Sequence, residues 1–149
     1  VDGMIMVDLP PEEDEEFCVP AMKTGIEMIR LVTPTTDTER MPLVLERAGG
    51  FVYYVSITGI TGTRSASEDS IKSAMERIRA VSDLPAVVGF GIRTPDQVRE
   101  AARHADGVVV GSAVVGAIAG SLDADGKAGD NTILVVLQQA NELAQGRYR

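Results

Sequence analysis

The sequence contains one cysteine, one histidine and no tryptophan among its 149 residues. A single thiol, Cys18, cannot form an internal disulfide, and Cys18 together with His104 supplies too few ligands for a Cys/His zinc site. We therefore expect neither a disulfide framework nor a bound metal. Basic residues are also scarce, because fourteen Lys and Arg stand against twenty-two Asp and Glu, for a net charge of −8. Such a charge repels nucleic acid and anionic lipid, so neither is an expected partner.

Long apolar runs are missing as well. The longest ones fall well short of the roughly 20 residues that a membrane-spanning helix needs, and no basic segment followed by an apolar one indicates a signal peptide. We expect a cytoplasmic protein. Its 44% hydrophobic and 24% charged residues are typical of one globular domain, here 1–149. Val1 stands just before a predicted strand, which suggests that the sequence begins partway through a larger protein.

Five short, continuous apolar runs predict buried strands. They are 4–7, 28–32, 51–55, 86–90 and 107–110. Continuous apolar strands are typical of parallel sheets that are covered on both faces. The strands start roughly 21 to 35 residues apart, with helical patterns between them, which indicates repeated βα units. Such units form either an open doubly wound sheet or a barrel, and the periodicity alone does not distinguish the two.

Helix signals lie in the gaps between the strands. Segments 10–13 and 94–97 combine proline with acidic or capping residues, as helix starts do, and the second has the residues of a capping box. Another helix is predicted by an apolar stripe at Ile71, Ala74, Met75 and Ile78. A last helix is expected through 134–143. Pro20 and Pro42 stand late for helix starts and predict kinks or shortened helices.

Glycine-rich segments follow three of the predicted strands, at 58–63, 89–94 and 111–113. Glycine lets the backbone approach a ligand closely, and N–H groups at a helix start bind anions. One such segment by itself is more often a tight turn. Three at strand ends favour a phosphate site, because the βα loops of a barrel build its site and the last two commonly hold phosphate. Segment 89–94 is no dinucleotide-binding motif, since Thr94 holds its third glycine position.

Several single residues fit more than one role. Asp8 ends the first predicted strand, where its carboxylate either faces a site or caps the next helix. Tyr53 and Tyr54 point to opposite faces of one strand, so only one of them can face a barrel interior. Cys18 is expected in the core and His104 at an exposed helix end.

The segment 58–70 is long, carries two glycines and has few apolar anchors before Ile71. Long loops with glycine hinges commonly close over ligands. We therefore predict a lid over 58–70.

Six sequence blocks, taken in order, resemble the tryptophan synthase alpha subunit. They are VDLPPEE at 7–13, LVTPTT at 31–36, GFVYYVS at 50–56, TGITG at 58–62, VGFGI at 88–92 and DGVVVGSA at 106–113. The resemblance implies a TIM (β/α)8 barrel that cleaves indole-3-glycerol phosphate to indole and glyceraldehyde 3-phosphate. It also implies an alpha2beta2 assembly with a beta subunit that receives the indole. Pyridoxal phosphate then belongs to that beta partner, and the alpha subunit itself carries no cofactor.

The matching part of the family begins at about the fourth barrel strand, so the chain resembles the last five βα units. The family's general acid and base, a Glu and an Asp, fall in the three N-terminal units that have no counterpart here. The resemblance therefore assigns no catalytic acid or base to this chain, and implies that it is inactive alone.

The other half of the family's site does have matching residues. The phosphate-holding positions are matched by Gly62, Gly91, Gly111 and Ser112. Phe90 matches a residue against the indole, Tyr53 a tyrosine near the catalytic carboxylates, and Thr61 a threonine of a mobile lid. Asp8 and the nearby Pro10 match the contact with the beta subunit.

Two other interpretations stay open. One is a different phosphate-binding barrel enzyme, against which the Tyr53–Tyr54 strand and the 58–62 block argue. The other is a non-enzymatic half-barrel that assembles with itself or with a partner. Five parallel strands leave unpaired edges and uncovered apolar inward faces, predicted at Val7, Val55 and Val110. The chain is thus expected to pair with a second copy or to be poorly stable.

Overall fold

The computed structural model describes residues 1–56, 68–89 and 91–147. The strands in these ranges are β1 (Gly3–Met4), β2 (Glu27–Met28), β3 (Arg30–Val32), β4 (Val52–Val55), β5 (Ala86–Gly89) and β6 (Gly107–Val109). The α-helices are α1 (Glu15–Lys23), α2 (Met41–Leu45), α3 (Glu68–Arg79), α4 (Pro95–Ala102), α5 (Ser112–Ser121) and α6 (Asp130–Ala144). Single 3₁₀ turns at Pro11–Glu13 and Gln145–Arg147 precede α1 and follow α6.

All strand pairs are parallel, and the strands lie side by side in chain order. β1 pairs with β2, while the larger sheet has the order β3-β4-β5-β6. A doubly wound sheet reverses its order at a switch point, whereas a barrel adds each new strand on the same side. The sequential order therefore favours the barrel.

The predicted strand 28–32 is divided at Ile29. The Ile29 N–H donates to the carbonyl of Met4 at 2.9 Å, whereas Arg30 is in register with Val52. The two neighbouring strands thus overlap different parts of this strand, as the stagger of a barrel requires.

The first predicted strand, 4–7, is wrong beyond Met4, because the strand is Gly3–Met4 and Val7 and Asp8 lie in a turn. The other three predicted strands are confirmed to within one residue at each end, with residue 90 outside the described part.

The sheet has one face covered by helices, whereas most residues on its other face are half-buried. Its covered face and helices α2, α3 and α4 share a core that includes Val32, Val52, Tyr54, Ala86 and Val88. Tyr53 and its register partners Leu31 and Val87 lie on the other face. The predicted opposition of Tyr53 and Tyr54 is confirmed.

The predicted inward-facing residues are only partly right. Val110 packs against the helix-covered core, so it does not face inward as predicted. Val109, in register with Gly89, takes the inward position instead. Val55 is half-buried, and Val7 is 73% exposed.

Two of the predicted helices are confirmed in detail. The stripe of α3 is buried as predicted. The capping box of α4 has both bonds, because the Gln97 N–H donates to Thr94 Oγ1 at 3.3 Å and the Thr94 N–H donates to Gln97 Oε1 at 3.2 Å.

The two prolines stand at different places in their helices. Helix α1 includes Pro20 and ends at Lys23. Helix α2 is short, as predicted, but Pro42 stands in its first turn, where a missing N–H costs nothing.

Helices α5 and α6 leave an apolar surface uncovered. Its members, here called the α5–α6 surface, are Val115, Ile118, Ile133, Leu134 and Leu137, each 38–68% exposed. The predicted helix through 134–143 is thus confirmed, but its apolar stripe faces outward and only Thr132 and Leu143 are buried. Helix α5 buries no residue although it is mostly apolar.

A buried ion network holds the start of α1. Asp14 is 1% exposed, and its carboxylate contacts Arg30 Nη2 on β3 and lies 2.8 Å from Arg47 Nη1 after α2. Arg30 Nη2 also lies 3.6 Å from the Cys18 sulfur. Cys18 is fully buried, as predicted. The network ties α1 to the sheet and to the neighbouring helix layer.

Within the described ranges, every helix is either too short or too polar to cross a bilayer.

Candidate functional site

The start of α5 is open. Gly111 is its N-cap, and no side chain caps the first turn. The Gly111 carbonyl accepts hydrogen bonds from the N–H groups of Val114 and Val115, while Gly111 and Ser112 are exposed. The first N–H groups of a helix have no partner inside it, so here they are directed toward solvent or a ligand.

The start of α5 differs from the starts of the other long helices in its charge. Helices α1, α3, α4 and α6 each carry at least one acidic residue in the first turn. Among the described helices of eight residues or more, α5 is the exception. An acidic side chain at a helix start competes with an anionic ligand. In a chain of net charge −8, α5 therefore has the helix start best suited to an anion.

Gly91 stands at the position after β5 that is equivalent to Gly111 after β6. Gly89 of β5 is in register with Val109 of β6, so Gly91 and Gly111 each come two residues after a paired position on adjacent strands. Gly91 has φ +80°, a conformation that strongly favours glycine. A Cβ atom built on Gly91 or Gly111 would meet no heavy atom within 4 Å. Each of the two glycines therefore has open space beside it.

Tyr53 lies on the inward face of the same sheet and touches Gly89. A Cβ atom built on Gly89 would contact the Tyr53 hydroxyl and lie 2.7 Å from Tyr53 Cζ. The tyrosine is 9% exposed, and burial raises the pKa of its phenol. The neutral phenol is therefore the form present near neutral pH, and it can donate a hydrogen bond.

Ser56 and Gly89 belong to this region as well, although the sequence assigns neither of them a specific role in the site. The Ser56 hydroxyl donates to the Gly89 carbonyl at 2.7 Å. The contact joins residues 33 positions apart and depends on the register of β4 and β5. The GFVYYVS and VGFGI blocks contain both residues, but nothing local in either block indicates the bond.

Asp8 and Pro10 lie on the surface before the first 3₁₀ turn, and both are exposed. The capping alternative for Asp8 is wrong, because the N-cap positions of the 3₁₀ turn and of α1 are Pro10 and Asp14. The turn is held by Glu12, whose carboxylate accepts from Arg40 at 2.7 and 3.2 Å. These hydrogen bonds lower the pKa of Glu12.

Three predicted site residues, Thr61, Gly62 and Phe90, lie outside the described residues, as does most of the predicted lid. The lid boundary is corrected at its far end, because residues 68–70 belong to α3.

His104 is half-buried rather than exposed. It follows the end of α4, and its Nε2 lies 3.0 Å from Glu68 Oε1.

The part of the chain that the structure describes has no cluster of three or more His, Cys, Asp or Glu able to hold a metal ion.

These features define a partial (β/α) barrel whose last two strands lead into open glycine turns. Residues 1–145 match the family described as tryptophan synthase alpha chain. The chain belongs to the tryptophan synthase alpha chain family.

Three solved structures illustrate the similarity. A protein from Aquifex aeolicus VF5 is 36% identical with a TM-score of 0.78, and the match covers 98% of this chain and 51% of that one. The alpha subunit from Legionella pneumophila str. Paris is 34% identical with a TM-score of 0.75, covering 99% and 51%. The alpha subunit from Campylobacter jejuni is 30% identical with a TM-score of 0.79, covering 96% and 54%. The chain thus spans about half the length of these proteins.

Proposed function

We propose that the chain supplies the phosphate-holding and indole-facing half of an indole-3-glycerol phosphate lyase in tryptophan biosynthesis. The open, acid-free start of α5, with the Gly91 turn at the equivalent position after β5, carries this proposal. The phosphate would accept hydrogen bonds from the backbone N–H groups of this helix start and from the Ser112 hydroxyl. The resemblance implies that Gly62 would contact the same phosphate.

The reaction splits a carbon–carbon bond in a retro-aldol step. It needs an acid that protonates indole C3 and a base that takes the proton from the glycerol hydroxyl. Bound phosphate contributes orientation at a distance from the reacting bond. By the resemblance, the family's Glu and Asp have no match in this chain, so the chain alone should bind ligand without turnover. By the family resemblance, Tyr53 would lie near the reacting carboxylates, Thr61 would belong to the lid, and Phe90 would lie against the indole.

Partner binding is part of the same proposal. The exposed turn with Asp8 and Pro10, held by the Glu12–Arg40 pair, would contact a beta subunit in an alpha2beta2 assembly in the cytoplasm. Pyridoxal phosphate resides in that beta subunit, and the alpha chain uses no cofactor of its own.

Phosphate binding tests the proposal directly. Addition of inorganic phosphate to the ¹⁵N-labelled chain should shift the amide signals of Gly91, Gly111 and Ser112. The start of α6 is an internal control, because it also follows a glycine, Gly129, but carries Asp130 in its first turn. Equal shifts at both helix starts, or none at α5, would contradict the phosphate assignment.

Lyase activity tests whether this chain holds the binding residues while the catalytic acid and base lie in the first three βα units of the family. The chain alone should not cleave indole-3-glycerol phosphate. The chain mixed with the first three βα units of a family member should cleave it, because those units bring the acid and the base. Phosphate binding without indole binding would favour another phosphate-using barrel enzyme.

A second candidate is a non-enzymatic half-barrel that associates with itself. The α5–α6 surface favours it, because apolar surfaces of this kind usually mark a contact with another protein. A complemented chain without lyase activity that sediments as a stable oligomer would support this candidate.

A further inference from the structure

Ser56 directs two donors at one carbonyl oxygen. Its backbone N–H donates to the Gly89 carbonyl at 3.2 Å, and its hydroxyl donates to the same oxygen at 2.7 Å. Ser56 is 3% exposed. A parallel ladder supplies only the first of these two bonds. The side chain therefore adds a second, buried link where β4 and β5 end.

The other side of Gly89 is covered by Tyr53. A Cβ atom at Gly89 would lie 2.7 Å from Tyr53 Cζ and 3.2 Å from Tyr53 Cε2. Gly89 is thus held at its carbonyl by Ser56 and at its Cα by the tyrosine ring. We call these three residues, Tyr53, Ser56 and Gly89, the β4–β5 clamp.

The clamp lies between the two parts of the proposed site. Gly91 follows Gly89 by two residues and stands at the position equivalent to Gly111, the N-cap of α5. Tyr53 lies on the inward face of the sheet, where the reacting end of the substrate would be. A ligand that touches both parts requires their separation to be fixed within about 0.5 Å.

We propose that Ser56 is a positioning residue that fixes the end of β5 against the Tyr53 ring and so sets the separation between Tyr53 and the Gly91 turn. The identity of the ligands, indole and phosphate, rests on the proposed function. The positioning itself rests on the two hydrogen bonds and the ring contact.

Loss of the hydroxyl should leave the fold intact. In Ser56→Ala the Gly89 carbonyl keeps its bond from the backbone N–H, and the four registered pairs of β4 and β5 remain. The Gly89 carbonyl at the end of β5 then accepts one hydrogen bond from residue 56 instead of two. Water should reach the Tyr53 ring more easily, and the backbone at Gly91 should open more often.

The first test uses the chain labelled with ¹³Cζ-tyrosine and ¹⁵N. In Ser56→Ala the pKa of Tyr53 should fall toward its ordinary value, and amide exchange at Gly91 should become about fivefold faster, as expected for one lost buried hydrogen bond. Ser56→Thr keeps the hydroxyl and should behave like the parent. The matched control is Ser121→Ala, which loses a serine-to-carbonyl bond of the same 2.7 Å length in α5.

An unchanged Tyr53 titration and unchanged Gly91 exchange in Ser56→Ala would overturn the proposal. A Ser56→Ala chain that loses its fold would also overturn it, because the hydroxyl would then be needed for folding itself.

The second test measures binding of indole and of inorganic phosphate separately. Ser56→Ala should weaken indole binding about fivefold, while Ser121→Ala should leave it unchanged. If the parent binds both ligands and Ser56→Ala changes neither the Tyr53 signal nor the indole affinity, the positioning proposal fails and the proposed function stands. If the parent binds neither ligand but the Tyr53 titration shifts as expected, the proposed function fails and the positioning proposal stands.

Discussion

Gly89→Ala tests the packing of the inward sheet face most directly. The backbone of Gly89 has no positive φ, so alanine is allowed there without backbone strain. The added methyl group would overlap the Tyr53 hydroxyl and lie 2.7 Å from Tyr53 Cζ. Tyr53 is 9% exposed, so the ring has little room to move aside.

Two opposing effects set the size of the change. Replacement of glycine by alanine stabilises a compatible position by about 0.4–1 kcal/mol, because the unfolded chain loses freedom. Overpacking a filled site costs about 1–3 kcal/mol. The overlap involves the rigid ring as well as the hydroxyl, so the cost should exceed the gain. We expect Gly89→Ala to lower the free energy of unfolding by about 1–2 kcal/mol.

A double-mutant cycle in urea measures this effect. In the Tyr53→Leu background the side chain is too short to reach the new methyl group, so Gly89→Ala should cost almost nothing. The coupling energy between the two positions should therefore reach about 1 kcal/mol or more. A Gly89→Ala chain as stable as the parent, or a coupling near zero, would refute the packing described for Tyr53.

Three further outcomes are expected. Gly111→Val should abolish binding of inorganic phosphate by blocking the start of α5. The control Gly116→Ala, in the open middle of α5, should keep phosphate binding and raise the free energy of unfolding by up to about 1 kcal/mol. Titration calorimetry measures the binding, and urea unfolding measures the stability. Asp106→Ala should lower the free energy of unfolding by about 1 kcal/mol at neutral pH, after allowance for solvent screening of a half-exposed carboxylate, because that carboxylate accepts the first N–H of β5 at 2.9 Å. This bond lowers the pKa of Asp106. The bond's contribution to the free energy of unfolding is therefore present above the unfolded pKa of about 3.9 and is lost as the pH falls through the lower folded value. Urea unfolding of the parent and of Asp106→Ala, at pH 7 and below pH 3, measures how the effect of the substitution changes with pH. The double variant Leu134→Glu, Leu137→Glu should reduce the sedimentation mass if the parent chain self-associates, and a parent that is a cooperative, well-folded monomer at micromolar concentration would contradict the expected association.

Local sequence signals predicted the elements whose cause is local. The α3 stripe and the Thr94 capping box depend on residues within two helical turns, and both are present as expected. Tyr53 and Tyr54 separate because neighbouring side chains of any strand alternate. These features need no knowledge of distant residues.

Features that depend on distant contacts were not predictable in this way. The periodicity of α6 shows an apolar stripe, but it does not show whether another element covers it, and Leu134 and Leu137 are exposed. The first strand ends where its pairing with β2 ends, at Met4, and the local apolar pattern of 4–7 does not show where that pairing stops. The bond from Ser56 to Gly89 requires the register of two strands that are far apart in the sequence.

The carboxylate of Asp14, buried between Arg30 and Arg47, has a consequence for how this chain can change during evolution. Loss of Asp14 alone would leave the guanidinium groups of Arg30 and Arg47 close together in a poorly hydrated space. Loss of Arg30 alone would leave the Asp14 carboxylate without the better buried of its two counter-ions. Replacement of all three by apolar residues of similar volume would carry no such penalty. Loss of Arg47 alone would leave the Asp14–Arg30 pair balanced, but loss of either member of that pair leaves a buried charge uncompensated. We therefore expect positions 14 and 30 to vary together among relatives, so that a sequence with an apolar residue at one of them has an apolar residue at the other.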